Sequence, residues 1–107
     1  MTKLSETLPI EEARERLRQL FSELAVVRGK VTLASGKEAD YYVDLRRITL
    51  HHEASRLVGQ VMLDLLDRNG IEFEAAGGLT MGADPVGSAI MRAAGDQDRA
   101  IDSFVVR

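Results

Sequence analysis

Cysteine and tryptophan are absent from these 107 residues, proline occurs twice, and aromatic residues make up only 5%. Without cysteine there is no disulfide framework, no thiolate metal site and no cysteine nucleophile, which fits a reducing compartment and makes the cytoplasm the expected location. No apolar run approaches the roughly 20 residues that span a bilayer. Met1 to Thr7 also lacks the apolar core of a signal peptide, so neither membrane nor export is expected. An excess of positive charge is missing too: the formal net charge is -3, which argues against nucleic acid as a partner. What is present, 45% hydrophobic and 29% charged residues, is the balance of a globular chain with one small core.

The pattern alternates helices and strands. Thr7 as N-cap, Pro9 in the first turn and Glu11 and Glu12 near the positive end of the helix dipole predict a helix start. Ile10, Ala13, Leu17, Leu20, Phe21 and Leu24 then recur at helical spacing, and the continuation through Ala25 to Arg28 is expected to stop at Gly29. Arg14, Glu15, Arg16, Arg18 and Glu23 read as a solvated face with local ion pairs. Val31 to Leu33 and Tyr41 to Leu45 read as two extended runs joined by a Ser35-Gly36 turn. Thr49 to Glu53 offers a polar helix start, and Ala54, Leu57, Val58, Val61, Met62, Leu65 and Leu66 form the strongest amphipathic pattern, closed by Asn69-Gly70. Phe73 to Gly78 reads as a buried strand leading through glycines into a helix at Asp84-Pro85, with Asp84 as its N-cap, and Ile101 to Val106 as a further strand. Strand, glycine-rich loop and helix in that order define an α/β protein.

Two stretches carry candidate chemistry. Val31 to Arg47 places a glycine turn, Lys37, Tyr41, Tyr42 and an aspartate between apolar runs, a mixture suited to the rim of a small-molecule site. Tyr41 and Tyr42 are adjacent on a strand and so lie on opposite faces; one at most meets a ligand. Lys37-Glu38 also reads as a plain solvated turn. The loop from 77 to 85 has glycines that permit positive φ and let backbone N–H groups approach an anion before a helix N-terminus. Its spacing fits neither the dinucleotide fingerprint nor the P-loop, so a phosphate cradle and a tight packing turn both stand open. His51 and His52, adjacent and pointing apart, lack the i, i+4 partner of a helical metal pair and read as surface or capping histidines.

The run TLASGKEADYYVDLRR, the helix with VMLDLL, the loop GGLTMGADPV and the final FVVR, in this order, resemble the N-terminal half of orotate phosphoribosyltransferase, especially its actinobacterial form. The resemblance implies an incomplete type I phosphoribosyltransferase fold. This is an α/β structure with a parallel sheet, flanking helices and an N-terminal helix and strand hood, with residues 1–47 forming the hood and 48–107 the start of the α/β core. It further implies a homodimer that joins orotate to the ribose of 5-phosphoribosyl 1-pyrophosphate. Orotidine 5'-phosphate and pyrophosphate are released with Mg2+ assistance, in pyrimidine synthesis. On the orotate side it implies Lys37, Tyr41, Tyr42 and Val43; on the pyrophosphate side Thr80, Met81, Gly82 and Arg107, with a non-proline cis peptide between Thr80 and Met81.

Two departures qualify that resemblance. The enterobacterial form has lysines where this chain has Ala34 and Gly82, and Lys37 is the candidate to stand in for the first. The family's mobile catalytic loop and its acidic motif would follow Arg107, and no adjacent pair of carboxylates ends a strand in this sequence. The expectation is therefore a 107-residue chain with no catalytic or metal-ligating residue of its own and little activity alone. A non-catalytic ligand-binding or dimerising module built on half of a transferase fold is the alternative.

Overall fold

A computed structural model describes residues 7–107; the reading of Met1 to Thr7 as no signal peptide falls, Thr7 apart, outside that range. The elements are α1 (Ile10–Leu20), a π-turn (Phe21–Ala25), β1 (Val26–Thr32), β2 (Glu38–Val43), α2 (Arg46–Thr49), α3 (Ala54–Arg68), β3 (Ala75–Leu79), α4 (Asp84–Gly95) and β4 (Asp102–Val106). They make an α/β structure with two separate two-stranded sheets, β1-β2 antiparallel and β3-β4 parallel. Among the described residues no helix is long and apolar enough to cross a membrane.

The apolar stripe of α1 forms as its spacing predicts, with Ala13 and Leu20 buried. Its ends differ from expectation. The N-cap position is Pro9 and no side chain caps the helix, so Thr7 does not play that role. After Leu20 the helix widens into the π-turn, and Ala25 is its last residue; Val26 to Arg28 are strand instead of helix. The reason lies across the hairpin, where Val26 pairs with Val43, Val27 with Tyr42 and Arg28 with Tyr41, a ladder that β-branched valines suit better than a helix. Gly29, at φ 122, sits where the register shifts between Arg28 and Val31, so it serves a bulge and not a helix end. Gly36, at φ 86, makes the tight turn between the strands.

Helix α3 is the spine of the molecule. Ala54 and Leu57 join Ala13, Leu20, Ala25 and Ile48 in one apolar cluster against α1. Leu63, fully buried, joins Ile90, Ala94 and Ile101 in a second against α4. The single predicted stripe is therefore two faces: Leu65, in line with Val58 and Val61, is 44% exposed, while Leu63 and Gly59 outside that stripe are buried. Asn69 caps the C-terminus and Gly70 turns the chain at φ 64, as the sequence indicates.

One polar tie crosses the first cluster. Glu15 and Arg18 pair locally as expected, but Arg16 reaches 37 residues along the chain, its Nε and Nη2 donating to Glu53 Oε2 and Oε1 at 2.8 and 2.9 Å. These hydrogen bonds hold the Glu53 carboxyl below its ordinary 4.5, against a smaller upward push from partial burial. A carboxyl that is harder to protonate folded than unfolded stabilises the fold fully above its unfolded value, and that contribution is lost as pH falls through the lower folded value. Unfolding by urea at about pH 5 and about pH 3 is expected to show a wild-type loss larger than that of Glu53→Gln by about 0.5–1 kcal/mol, modest because the pair is partly exposed. Equal losses would show that the pair carries no such linkage.

Candidate functional site

The C-terminal ends of β3 and β4 are adjacent, and two glycines sit at close approaches there, Gly77 between the two strands and Gly87 between α4 and the sheet. A Cβ on Gly77 would lie 2.0 Å from the Phe104 carbonyl oxygen in β4, and one on Gly87 in α4 would lie 2.8 Å from the Ala76 carbonyl oxygen. Neither Gly77, Gly78 nor Gly82 has a positive φ, so close approach, not left-handed backbone, is what the glycines of β3 supply. Gly82 differs, since a Cβ there would meet open space.

Residues Thr80 to Ala83 form the loop between β3 and α4. The Thr80–Met81 peptide is cis. The Thr80 N–H donates to the Val106 carbonyl at 2.9 Å and the Ala83 N–H to the Leu79 carbonyl at 3.0 Å, which pin the two ends. Between them the N–H groups of Met81 and Gly82 make no hydrogen bond among the described residues, and Met81 is 82% exposed. Arg107, directly after β4, is exposed and is the only basic side chain on β3, its loop or β4. Thr80, Met81, Gly82 and Arg107 thus meet at one end of the parallel sheet, where two free donors, a guanidinium and the start of a 12-residue helix can receive an anion.

Asp84 is not the N-cap expected of it. That position belongs to Ala83, and no side chain caps α4; Asp84 is the first helical residue, and its Oδ2 accepts a hydrogen bond from the Thr80 hydroxyl. Its Oδ1 is buried without a partner among the described residues. The sequence reading missed this link, although a threonine four residues before an aspartate at a helix start was there to see.

Lys37, Tyr41, Tyr42 and Val43 lie on the other sheet. The Lys37 carbonyl accepts the Leu33 N–H at 2.8 Å and so helps close the hairpin, while its side chain is exposed, as is that of Glu38. Tyr41 is 57% exposed and Tyr42 half-buried, in keeping with alternate faces, and Val43 is partly exposed. Asp44 then accepts from Arg46, whose hydrogen bonds hold its carboxyl below the ordinary range, and also pairs with Arg47. His51 does cap: its Nδ1 accepts from the N–H groups of Glu53 and Ala54 at 3.2 and 3.1 Å. The rings of His51 and His52 do not point apart, however, but lie 4.2 Å centre to centre. Among the described residues no three metal-binding side chains cluster.

The parallel strands, glycine-assisted loop and helix belong to a known class: the fold is that of the phosphoribosyltransferases, present in part. Within that class the chain matches the N-terminal portion of orotate phosphoribosyltransferases. It is 58% identical to the orotate phosphoribosyltransferase of Streptomyces avermitilis over 98 residues, 92% of this chain and 53% of the relative. The crystal structure of the Mycobacterium tuberculosis enzyme in complex with Fe(III) dicitrate superposes with a TM-score of 0.79 at 56% identity, covering 89% of this chain and 54% of that one. The same enzyme in complex with 5-phospho-alpha-D-ribosyl 1-diphosphate superposes with a TM-score of 0.75 at 54% identity, over 89% of this chain and 53% of that one. The chain spans about half the length of the curated relatives it matches. No family model matches it.

Proposed function

We propose that this chain is the substrate-cradling half of an orotate phosphoribosyltransferase, the enzyme that joins orotate to 5-phosphoribosyl 1-pyrophosphate and releases orotidine 5'-phosphate and pyrophosphate. The observation that carries the reading is the pair of unbonded N–H groups at Met81 and Gly82 beside Arg107, on a chain more than half identical to enzymes of that name. Residues 80–82 and Arg107 receive the pyrophosphate. Lys37 and the face of Tyr41, Tyr42 and Val43 form the orotate side, where a flat electron-poor ring meets aromatic and apolar surface. The described part of residues 1–47 acts as a hood over the α/β core of 48–107. The whole enzyme works as a cytoplasmic homodimer in pyrimidine synthesis.

A divalent cation fits this site as an ion carried by the substrate. The loop offers N–H donors and a guanidinium, which bind phosphate oxygens, and no carboxylate cage, which matches the habit of Mg2+ of keeping waters and taking its ligands largely from substrate phosphates. When bound it would neutralise pyrophosphate charge, while the residues of this chain orient the phosphates and exclude water.

The test is a chimera in which this chain is continued by the portion of the Streptomyces avermitilis relative that it does not cover. Orotate-dependent turnover with Mg2+ is expected, and Arg107→Ala is expected to weaken use of phosphoribosyl pyrophosphate by about ten- to a hundredfold, the worth of charge-assisted hydrogen bonds to a phosphate. A stable chimera that consumes no orotate would overturn the reading. Saturable orotate binding by that inactive protein would favour the non-catalytic module instead.

A further inference from the structure

We infer that Asp84 is a positioning residue that holds the Thr80–Ala83 loop in its anion-receiving shape by gripping the Thr80 hydroxyl; this rests on the anion-binding reading of that loop. Three observations lead there. First, the carboxylate is spent on the loop and not on the helix: a capping aspartate would place its oxygens on N–H groups of the first turn, yet Oδ2 takes the Thr80 hydroxyl and Oδ1 lies buried with no donor among the described residues. Second, Thr80 is held from two sides, by its N–H on the Val106 carbonyl and by its hydroxyl on Asp84, so the peptide that leads to the free Met81 and Gly82 donors is fixed between β4 and α4. Third, a negative side chain beneath a site for anions opposes its ligand electrostatically, so a benefit from Asp84 must come through geometry.

Geometry and charge thus pull in opposite directions, and two substitutions separate them. Asp84→Ala removes both the charge and the grip. Asp84→Asn removes the charge but keeps a carbonyl oxygen for Thr80. If Asp84 acts by position, Asp84→Ala binds Mg2+-pyrophosphate about tenfold more weakly than wild type in calorimetry, and Asp84→Asn binds at least as tightly as wild type. If the charge alone mattered, both would bind more tightly, and the inference falls. Amide hydrogen exchange of this chain without ligand gives a second readout: exchange at Thr80 and Ala83, the two hydrogen-bonded amides of the loop, is expected to rise about tenfold in Asp84→Ala and in Thr80→Val, no further in the double variant, and to stay near wild type in Asp84→Asn. Unchanged exchange in Asp84→Ala would overturn the positioning role. Absence of pyrophosphate binding by every form, with the exchange pattern as expected, would instead overturn the anion-binding reading and leave the grip established.

Discussion

Gly59→Ala is expected to cost the domain about 3 kcal/mol or more and to lower its Tm by upwards of about 10 °C. The methyl group would arrive 2.1 Å from the carbonyl oxygen of Ala89 and 2.6 Å from its carbon, which are backbone atoms and cannot swing aside. Relief requires α3 and α4 to move apart, and that separation opens the cluster of Leu63, Ile90, Ala94 and Ile101 in which their shared apolar surface is buried. Helix propensity works the other way, since alanine in a helix interior is favoured over glycine by about 1 kcal/mol, so the expected loss is net of that gain. Gly95→Ala, at the end of α4 with open space around the new atom, provides the contrast and should be neutral or slightly stabilising. Thermal melts followed by circular dichroism decide it: a Gly59→Ala melting point within about 2 °C of wild type would mean that the helices do not cross this closely.

Gly59 also shows where sequence reading reaches its limit. Punctuation was legible: Ser35-Gly36, Asn69-Gly70 and Asp84-Pro85 each mark a boundary found in the structure, because turns and helix ends are decided by φ and by missing donors, which are local properties. Packing on two sides was not. A period of 3.6 picks out one apolar stripe, that of Ala54, Leu57, Val58, Val61, Met62, Leu65 and Leu66, and Gly59 and Leu63 on the second face of α3 stayed hidden. Val26 to Arg28 continued the α1 pattern by spacing and became a strand because of partners at 41–43. The same distinction runs through the candidate site. Thr80, Met81, Gly82 and Arg107 were reached through family resemblance; that Arg107 directly follows the strand lying beside Leu79 is known only from the parallel register, which pairs Leu79 with Val106. The Arg16–Glu53 contact depends on tertiary placement, which residue spacing does not report, and the Thr80–Asp84 contact on the loop shape that turns the Thr80 hydroxyl toward the helix start.

The largest functional effect is expected in the chain by itself. Assayed alone with orotate, phosphoribosyl pyrophosphate and Mg2+, the 107-residue polypeptide should turn over at least about 10⁴-fold more slowly than the chimera with the second half of a relative. Transfer at a ribose carbon develops positive charge on the sugar and negative charge on the departing pyrophosphate. On the proposed function, this chain's site would answer only the second, through two N–H groups and one guanidinium. Nothing at that end of the sheet opposes the first or orients the sugar hydroxyls: Asp84 has one oxygen on Thr80 and the other buried, and no pair of carboxylates ends a strand. Removing one preorganised electrostatic partner typically costs 10²–10³ in rate, and at least two are lacking, so the deficit compounds. Binding need not follow turnover, because interactions equally strong in ground and transition states give affinity without rate. The isolated chain should therefore still take up pyrophosphate with Mg2+ while leaving orotate unconsumed, and turnover within about a hundredfold of the chimera would show that these residues supply more of the catalysis than their positions account for.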